Sequence, residues 1–317
     1  MNETTFPTAI STTPSGVVLD GVSRRFGDVL ALDRVSLDIR VGETVALLGP
    51  NGAGKSTAIA IMLGLLDPTS GRATTLAQEP RTAARSGRIG AMLQTAGLPS
   101  GARVAELVDL ARALYPAPMP RDAILARAGL TDLAARRVES LSGGEAQRVR
   151  FAFAVAGDPD LVFLDEPTVA MDVESRRAFW DDMRRFADEG RTVLFATHYL
   201  DEADQVADRI VVLDHGRVVG DGSPAELKAT VTERTVRFTW PAVALDGDTP
   251  LRVLPGVVDV DRRGSAVTLR SSDADGTVRG LVASGIDFRH LEVAGADLDT
   301  AFLALTSGGA AGPQVGA

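Results

Sequence analysis

Residues 49–57 read Gly49-Pro50-Asn51-Gly52-Ala53-Gly54-Lys55-Ser56-Thr57, between the apolar run Thr44–Leu48 and the apolar-periodic stretch Ala58–Leu66. This order predicts a strand, a tight glycine turn and a helix, with successive backbone N–H groups pointing into one concavity at the helix N-terminus. Such a concavity favours polyphosphate. Lys55 would reach the β- and γ-phosphates, and the Ser56 hydroxyl would ligate Mg²⁺. The alternative is a glycine loop that only reverses the chain.

The composition limits the classes of protein to consider. A chain of 317 residues can form one large domain and a small one. Its net charge of −9 argues against a general binder of nucleic acid or anionic membranes. The absence of cysteine fits a reducing cytosol. Because the sequence has no basic-then-apolar signal pattern and no uncharged apolar run of about 18 residues, we expect a soluble protein whose membrane role comes through a partner.

The order of patterns predicts the domain organisation. Residues 1–15 are expected to be a disordered tail, and residues 16–230 a large domain with a helical insert at about 97–157. The apolar runs Leu161–Leu164 and Thr192–Ala196, separated by a helix over Glu174–Glu189, indicate a parallel sheet with helical crossovers. Strand and helix patterns over 231–307 indicate a second, α+β domain, and residues 308–317 a flexible end. The fold class is therefore α/β.

A layer of β hairpins is predicted before the glycine turn, from Val17–Asp20, Val29–Leu32 and Val35–Ile39. Phe26 is expected in a turn beside this layer. An exposed aromatic ring there could stack on a nucleotide base, or it could simply pack on the layer.

Two further motifs carry polar chemistry. Asp165 and Glu166 follow an apolar strand, where one carboxylate can hold Mg²⁺ through water and the other can accept a proton from the attacking water. An acidic helix cap is the alternative for that pair. Leu141–Glu145 precedes the helical stretch Ala146–Ala156, where Ser142 could cap the helix or help to bind an anion.

Taken together, these motifs resemble the ATP-binding subunits of ABC transporters, over about residues 16–228. The chain has a Walker A motif at Gly49–Thr57, the signature at Leu141–Glu145 and a Walker B strand that ends in Asp165 and Glu166. Their order and spacing are highly specific to that family. The resemblance implies a P-loop ABC ATPase fold with a mixed β layer, a parallel-sheet core and a helical insert.

The resemblance also implies roles for individual residues. Catalysis would depend on Glu166, the switch residue His198 and the Q-loop residue Gln94, and Mg²⁺ would be held by Ser56, Gln94 and Asp165. ATP would be bound by Phe26, Gly49, Asn51, Gly52, Gly54, Lys55, Ser56 and Thr57, and by Ser142, Gly143, Gly144 and the D-loop residue Asp172. The signature residues would act on a nucleotide held by a second subunit.

Two departures from the family pattern stand out. The D-loop reads Val169-Ala170-Met171-Asp172 where Ser-Gly-Leu-Asp is usual, and Glu145 occupies a position where glutamine is common. Asp172 is retained, so the resemblance still implies an active site. The C-terminal region, which ends near Asp297–Thr306, resembles the extension of daunorubicin-resistance-type exporter ATPases.

The implied function is hydrolysis of MgATP by a head-to-tail dimer, homomeric or of paired cassettes, that drives a separate integral membrane permease. The resemblance places such a subunit in the cytoplasm, on the inner face of the membrane, and suggests export of drugs or antibiotics. No nucleic-acid partner is expected. The alternatives are a non-transport ABC ATPase and a weakly hydrolysing regulatory nucleotide-binding module.

Overall fold

The computed structural model describes residues 14–94, 97–231, 234–240 and 249–307. These residues form two compact units, the first ending at Asp221 and the second beginning at Gly222. The division lies 230 − 221 = 9 residues before the predicted boundary. The predicted tails lie outside the described residues, except that Pro14 and Ser15 are ordered, because the Pro14 carbonyl accepts a hydrogen bond from Val41 and Ser15 begins a strand.

The described strands are β1 (Ser15–Phe26), β2 (Val29–Arg40), β3 (Thr44–Leu48), β4 (Ser70–Thr75), β5 (Ile89–Met92), β6 (Leu161–Asp165), β7 (Thr192–Ala196), β8 (Arg209–Asp214), β9 (Arg217–Gly222), β10 (Arg234–Thr239), β11 (Val257–Arg263), β12 (Ala266–Ser271) and β13 (Arg289–Ala294). The described helices are α1 (Lys55–Met62), α2 (Pro80–Arg85), α3 (Val104–Ala113), α4 (Arg121–Arg127), α5 (Gly143–Val155), α6 (Val173–Asp188), α7 (Leu200–Val206), α8 (Pro224–Ala229), α9 (Thr249–Arg252), α10 (Ala274–Ala283) and α11 (Leu298–Ser307).

The first unit is built on a six-stranded sheet in the order β5-β6-β7-β3-β8-β9. The pairs β5/β6, β6/β7, β7/β3 and β3/β8 are parallel, as predicted. Every residue of β3, β6 and β7 is buried, which explains why these strands are almost uninterrupted apolar runs. Because the strands are parallel, the carboxyl ends of β3, β6 and β7 meet at one edge of the sheet, and the glycine loop, Asp165 and His198 all follow these ends.

An antiparallel sheet in the order β2-β1-β4 forms the second layer. The two runs predicted within residues 29–39 are a single strand, and β4 joins the layer after α1. Phe26 does not lie in a turn. It is the last residue of β1 and pairs with Val29 in the hairpin.

Two helices begin earlier than their apolar periodicity predicts. α1 begins at Lys55 rather than Ala58 and ends at Met62, and α5 begins at Gly143 rather than Ala146. The periodicity marks only the buried face, whereas α1 begins with three polar residues and α5 begins with two glycines and a glutamate. β5 ends at Met92, so Gln94 lies in the segment that follows this strand.

The helical insert contains α3, α4 and α5, with short 3-10 turns between them. α3 and α4 are separate because prolines 116, 118 and 120 interrupt the helical pattern. A chain of aromatic rings connects α5 and α6 to the sheet: Phe151 contacts Phe179 at 5.3 Å, Phe179 contacts Trp180 at 5.3 Å, and Trp180 contacts Phe195 of β7 at 4.6 Å between ring centroids. The helix that carries the signature is therefore packed into the core.

The second unit contains an antiparallel sheet in the order β11-β12-β10-β13. Val236, Phe238, Leu269 and Leu281 are among the residues that form its own buried core, separate from that of the first unit. The predicted strands and helices are present here, with ends shifted by up to three residues, and α9 is an addition that the sequence pattern did not indicate. Among the described helices of the whole chain, none is both long and apolar enough to cross a bilayer.

Candidate active site

The glycine loop between β3 and α1 needs glycine at two positions for steric reasons. Gly49 has φ of 157° and Gly54 has φ of 105°. A Cβ atom on Gly49 would collide with the Leu213 carbonyl oxygen, and one on Gly54 would lie 2.5 Å from the carbonyl oxygen of Ala31. The loop is thus held tightly against β2 and β8, and its backbone can close around a small anion.

Lys55 is buried and turns back over the loop. Its Nζ donates hydrogen bonds to the Gly49 carbonyl at 2.6 Å and the Pro50 carbonyl at 3.2 Å. Burial lowers the pKa of Lys55, while the nearby Glu166 and Asp165 carboxylates oppose that shift. An anion that enters the loop would further stabilise the charged form of this buried ammonium group.

Ser56 and Asp165 meet across the sheet edge. The Ser56 hydroxyl donates a hydrogen bond to Asp165 Oδ2 at 3.0 Å. Burial raises the pKa of Asp165, and the Ser56 hydrogen bond and the Lys55 charge partly offset the increase. A hydroxyl beside a buried carboxylate is a set of oxygen donors that suits a hard divalent cation.

Glu166 follows Asp165 with φ of 53°, a left-handed conformation that is costly for a non-glycine residue. Its backbone N–H donates to the Ala196 carbonyl at 2.9 Å, which ties it to β7. His198 Nδ1 lies 2.8 Å from Glu166 Oε2. The strained backbone therefore directs this carboxylate toward the histidine, two residues beyond the end of β7.

Most of the predicted site residues line one cavity of about 400 Å³. Its lining consists of Phe26, Ala31, Asn51, Gly52, Ala53, Gly54, Lys55, Ser56, Thr57, Gln94, Asp165 and Glu166. The Phe26 ring is 43% exposed and has the Arg24 guanidinium 4.6 Å from its centroid. Gln94 is exposed and also lines the cavity.

The signature residues Ser142, Gly143 and Gly144 are not in the lining of that cavity. Ser142 caps α5: its side chain accepts a hydrogen bond from the Glu145 backbone, and Glu145 Oε2 accepts one from the Ser142 backbone at 2.7 Å. This reciprocal capping explains why an acidic residue is accommodated at position 145. Glu145 also pairs with Arg136 at 2.8 Å.

The D-loop packs directly on the signature helix of the same chain. A Cβ atom on Gly143 would lie 3.0 Å from the Ala170 side chain, and one on Gly144 would lie 3.5 Å from Met171. Asp172 caps α6, because its carboxylate accepts hydrogen bonds from the Ser175 backbone at 2.8 Å and from the Ser175 hydroxyl at 2.9 Å. These bonds lower the pKa of Asp172.

Sequence reasoning missed a buried polar cluster beside the cavity. Thr168, Thr197 and Glu202 are all buried, and both threonine hydroxyls donate to the Glu202 carboxylate. A weak signal exists in the sequence, since Glu202 follows His198 by four residues. Asp201 and Asp204 lie beside it, however, and the pattern alone does not indicate which acid is buried.

A larger cavity, of about 930 Å³, lies along β2 and β9. None of the predicted site residues lines it. Two ion pairs lie in its lining: Arg217 bonds Asp33 at 2.9 Å, and Arg209 bonds Asp221 at 2.6 Å. The smaller cavity, with its glycine loop and clustered carboxylates, is the candidate for chemistry.

The protein-family model described as ABC transporter matches residues 32–169. The daunorubicin resistance ATP-binding protein DrrA3 of Streptomyces coeruleorubidus is 36% identical over 303 residues, which cover 92% of this chain and 96% of the relative. The Nod factor export ATP-binding protein I of Burkholderia orbicola is 35% identical over 213 residues, covering 65% of this chain and 70% of the relative.

Solved structures agree with these relatives. The dimeric post-hydrolysis structure of the ATP-binding cassette MJ0796, bound to ADP and Pi, has a TM-score of 0.60 and 29% identity, covering 65% of this chain and 98% of that one. A bacterial Atm1-family ABC exporter with ATP bound has a TM-score of 0.62 and 28% identity, covering 71% of this chain and 41% of that one. With a relative matched over nearly its whole length and a cassette fold, this chain belongs to the ATP-binding subunits of ABC transporters.

Proposed function

We propose that this chain, an ATP-hydrolysing subunit of an ABC transporter, powers a drug- or antibiotic-type exporter through a separate integral membrane permease. The match to the daunorubicin-resistance relative supports this substrate class. This match covers 92% of the 317 residues of the chain. Because the first unit has only 221 residues, the match extends into the second unit. The match to the Nod factor export relative covers 65% of the chain.

ATP would lie in the 400 Å³ cavity, with its β- and γ-phosphates in the glycine loop against Lys55 and its adenine on Phe26. Glu166 would accept a proton from the attacking water, and His198 would orient that carboxylate and contact the γ-phosphate. The 2.8 Å hydrogen bond between these two side chains supports this pairing of roles. Gln94 would complete the wall near the attacking water.

The donors around Ser56 and Asp165 fit Mg²⁺, because both are hard oxygen ligands on the same cavity wall, 3.0 Å apart. Gln94, which lines the same cavity, would add an amide oxygen. When bound, the cation would offset the negative charge of the β- and γ-phosphate oxygens. This chain's residues then hold the nucleotide and move the proton.

A second copy would complete each site. Gly143 and Gly144 begin α5, where their backbone N–H groups and the helix dipole favour an anion, yet together with Ser142 they lie outside the cavity of their own chain. We infer that they contact the γ-phosphate of ATP held by the partner cassette, with Asp172 at the same interface. The complex would act on the cytoplasmic face of the membrane, bound there by the permease.

The observation that carries the proposal is the arrangement of Asp165 beside Ser56 and of Glu166 beside His198 at one sheet edge. It is tested by replacing Glu166 with Gln, which keeps the size of the side chain but removes the proton acceptor. We expect ATP binding to persist and hydrolysis to fall by about 10²-fold or more. Hydrolysis close to wild type would exclude Glu166 as the base.

The substrate class has its own test. Cells that express the chain with the membrane protein encoded beside it are loaded with daunorubicin, and accumulation is compared with cells that carry Glu166→Gln. Lower accumulation only with the wild-type chain supports a drug exporter. Equal accumulation in both would overturn this substrate assignment while leaving the ATPase assignment standing.

A further inference from the structure

Glu202 is an acidic side chain that the proposed chemistry does not use, although it is 5% exposed and close to the site. It lies in the first turn of α7. Its two carboxylate oxygens accept hydrogen bonds from different hydroxyls: Oε1 from Thr168 at 2.5 Å and Oε2 from Thr197 at 3.0 Å, with all three residues buried. A buried carboxylate with both oxygens engaged is held in one orientation.

The two threonines belong to the two loops that carry the proposed catalytic pair. Thr168 follows Glu166 by two residues, and Thr197 directly precedes His198. Thr197 Oγ1 also accepts a hydrogen bond from the Tyr199 backbone at 3.0 Å, which fixes the backbone on the other side of His198. Through one carboxylate, Glu202 thus connects the loop after β6 to the loop after β7.

Arg176 of α6 supplies the opposite charge. Its Nε lies 3.3 Å from Glu202 Oε1, and its guanidinium lies 4.3 Å from the centre of the Tyr199 ring. The Tyr199 ring in turn lies 4.1 Å from the His198 ring. The cluster therefore reaches His198 through the Tyr199 ring, and Arg176 compensates the buried negative charge of Glu202.

The distance between the two loops matters for the position of the Glu166 carboxylate, because the Glu166 backbone is strained. A left-handed non-glycine residue persists only where its surroundings determine it strongly. The Glu166 backbone bond to Ala196 fixes the start of its loop, and the Thr168 bond to Glu202 fixes the residue two positions later. Displacement of a catalytic group by about 1 Å can cost a factor of about 10² in rate.

We propose that Glu202 is a positioning residue for ATP hydrolysis, which holds the loops of Glu166 and His198 at the separation that their hydrogen bond requires. The inference rests on the proposed function, in which those two residues act together. It assigns Glu202 no contact with ATP. Its removal should accordingly change turnover much more than nucleotide binding.

The first test is Glu202→Gln, with Asp201→Asn as the matched control. Gln retains one acceptor oxygen, but its amide NH₂ cannot accept a hydrogen bond from the second hydroxyl. It also has no negative charge to balance that of Arg176. Asp201 is an exposed acid one residue away, so its amide variant reproduces the loss of charge alone. We expect kcat to fall about ten-fold or more for Glu202→Gln with KM for ATP nearly unchanged, and no change for Asp201→Asn.

The second test separates positioning from general stability. Thr197→Val removes the hydroxyl at constant shape, whereas Thr197→Ser keeps it. We expect the Val variant to lose turnover and the Ser variant to retain most of it, while both melt as cooperative folded proteins. If the Ser variant were as slow as the Val variant, the hydroxyl contact with Glu202 would not be the cause, and the proposal would fail.

A double-mutant cycle with His198→Ala decides whether Glu202 acts through the catalytic pair. If it does, Glu202→Gln should have little further effect on kcat once His198 is absent. If the two substitutions instead lowered kcat independently, so that their fold-changes multiplied, the proposal would be overturned. Should His198→Ala hydrolyse ATP like wild type, the proposed function fails; should His198→Ala be slow and Glu202→Gln fully active, only the present inference fails.

Discussion

The Glu166 carboxylate and the His198 ring share a hydrogen bond of 2.8 Å, although 32 positions separate them in the chain. The bond exists because β6 and β7 are adjacent and parallel, with Asp165 paired to Ala196, so that the next residues of both strands leave the sheet at the same edge. Parallel pairing is thus the structural cause of the contact between the two side chains of the proposed catalytic pair.

Lys55 gives the first prediction. Lys55→Ala should leave the nucleotide-free fold intact but abolish stabilisation by ATP with magnesium, a contribution of about 2.7 kcal/mol when ligand is present at about 100 times its Kd. Thermal melting with and without nucleotide measures it. Lys228→Ala, at the other lysine of the chain, is the matched control and should keep the full shift. A full shift in Lys55→Ala would contradict the assignment.

Asp165 gives a prediction about pH. Burial raises its pKa in the folded protein, so the folded state binds its proton more tightly than the unfolded state. The charged form therefore destabilises the fold, and this effect grows as pH rises from the ordinary aspartate pKa through the raised one. We expect Asp165→Asn to melt at a higher temperature than wild type at neutral pH, with the difference vanishing in acid, and to bind ATP without a magnesium dependence. A neutral or destabilising effect at pH 7 would contradict this account.

The next prediction concerns Glu145, the unusual residue of the signature, and its role in capping α5. The Ser142 backbone N–H, and after it the Arg136 charge, hold the pKa of Glu145 below its usual value, against the effect of burial. Its contribution to stability is therefore present above the unfolded pKa and is lost as pH falls through the folded one.

Glu145→Gln should preserve the cap, since glutamine serves in the same motif, and its activity should remain close to wild type. Glu145→Ala should cost about 1 kcal/mol of stability. Denaturant unfolding of both variants measures the difference. Equal stability of the two would mean that the cap contributes nothing.

The sequence predicts the fold well where a single local pattern is enough to identify an element. The glycine loop, β6 with its terminal acids and the prolines of the insert each indicate their structure, because steric and burial constraints act locally there. Helix starts at Lys55 and Gly143 were misplaced because the first turn of each helix carries no apolar residue to mark it. Phe26 was misplaced because a hairpin end and a turn have the same local composition.

The site could be predicted only as far as its motifs extend. Thr168, Thr197 and Glu202 come together through the packing of α7 against the sheet edge, and the four-residue spacing from His198 to Glu202 does not indicate which of the neighbouring acids is buried. The same holds for Arg24 beneath Phe26. The chain belongs to the family although its D-loop and Glu145 depart from the usual family pattern. The structure explains the second departure, because Glu145 forms a reciprocal cap with Ser142.

The proposed dimer rests on one claim, that two copies of this chain share each ATP, with Lys55 binding it from one side and Ser142 from the other. Lys55→Ala cannot hold phosphate, and Ser142→Arg blocks the signature by size and charge. Mixed, the two variants form a heterodimer with one intact composite site and one doubly broken site. The decisive measurement is ATP occluded by the mixture in the presence of magnesium. We predict occlusion that neither variant shows alone; a mixture that forms heterodimers yet occludes no more ATP than the separate variants would contradict the claim.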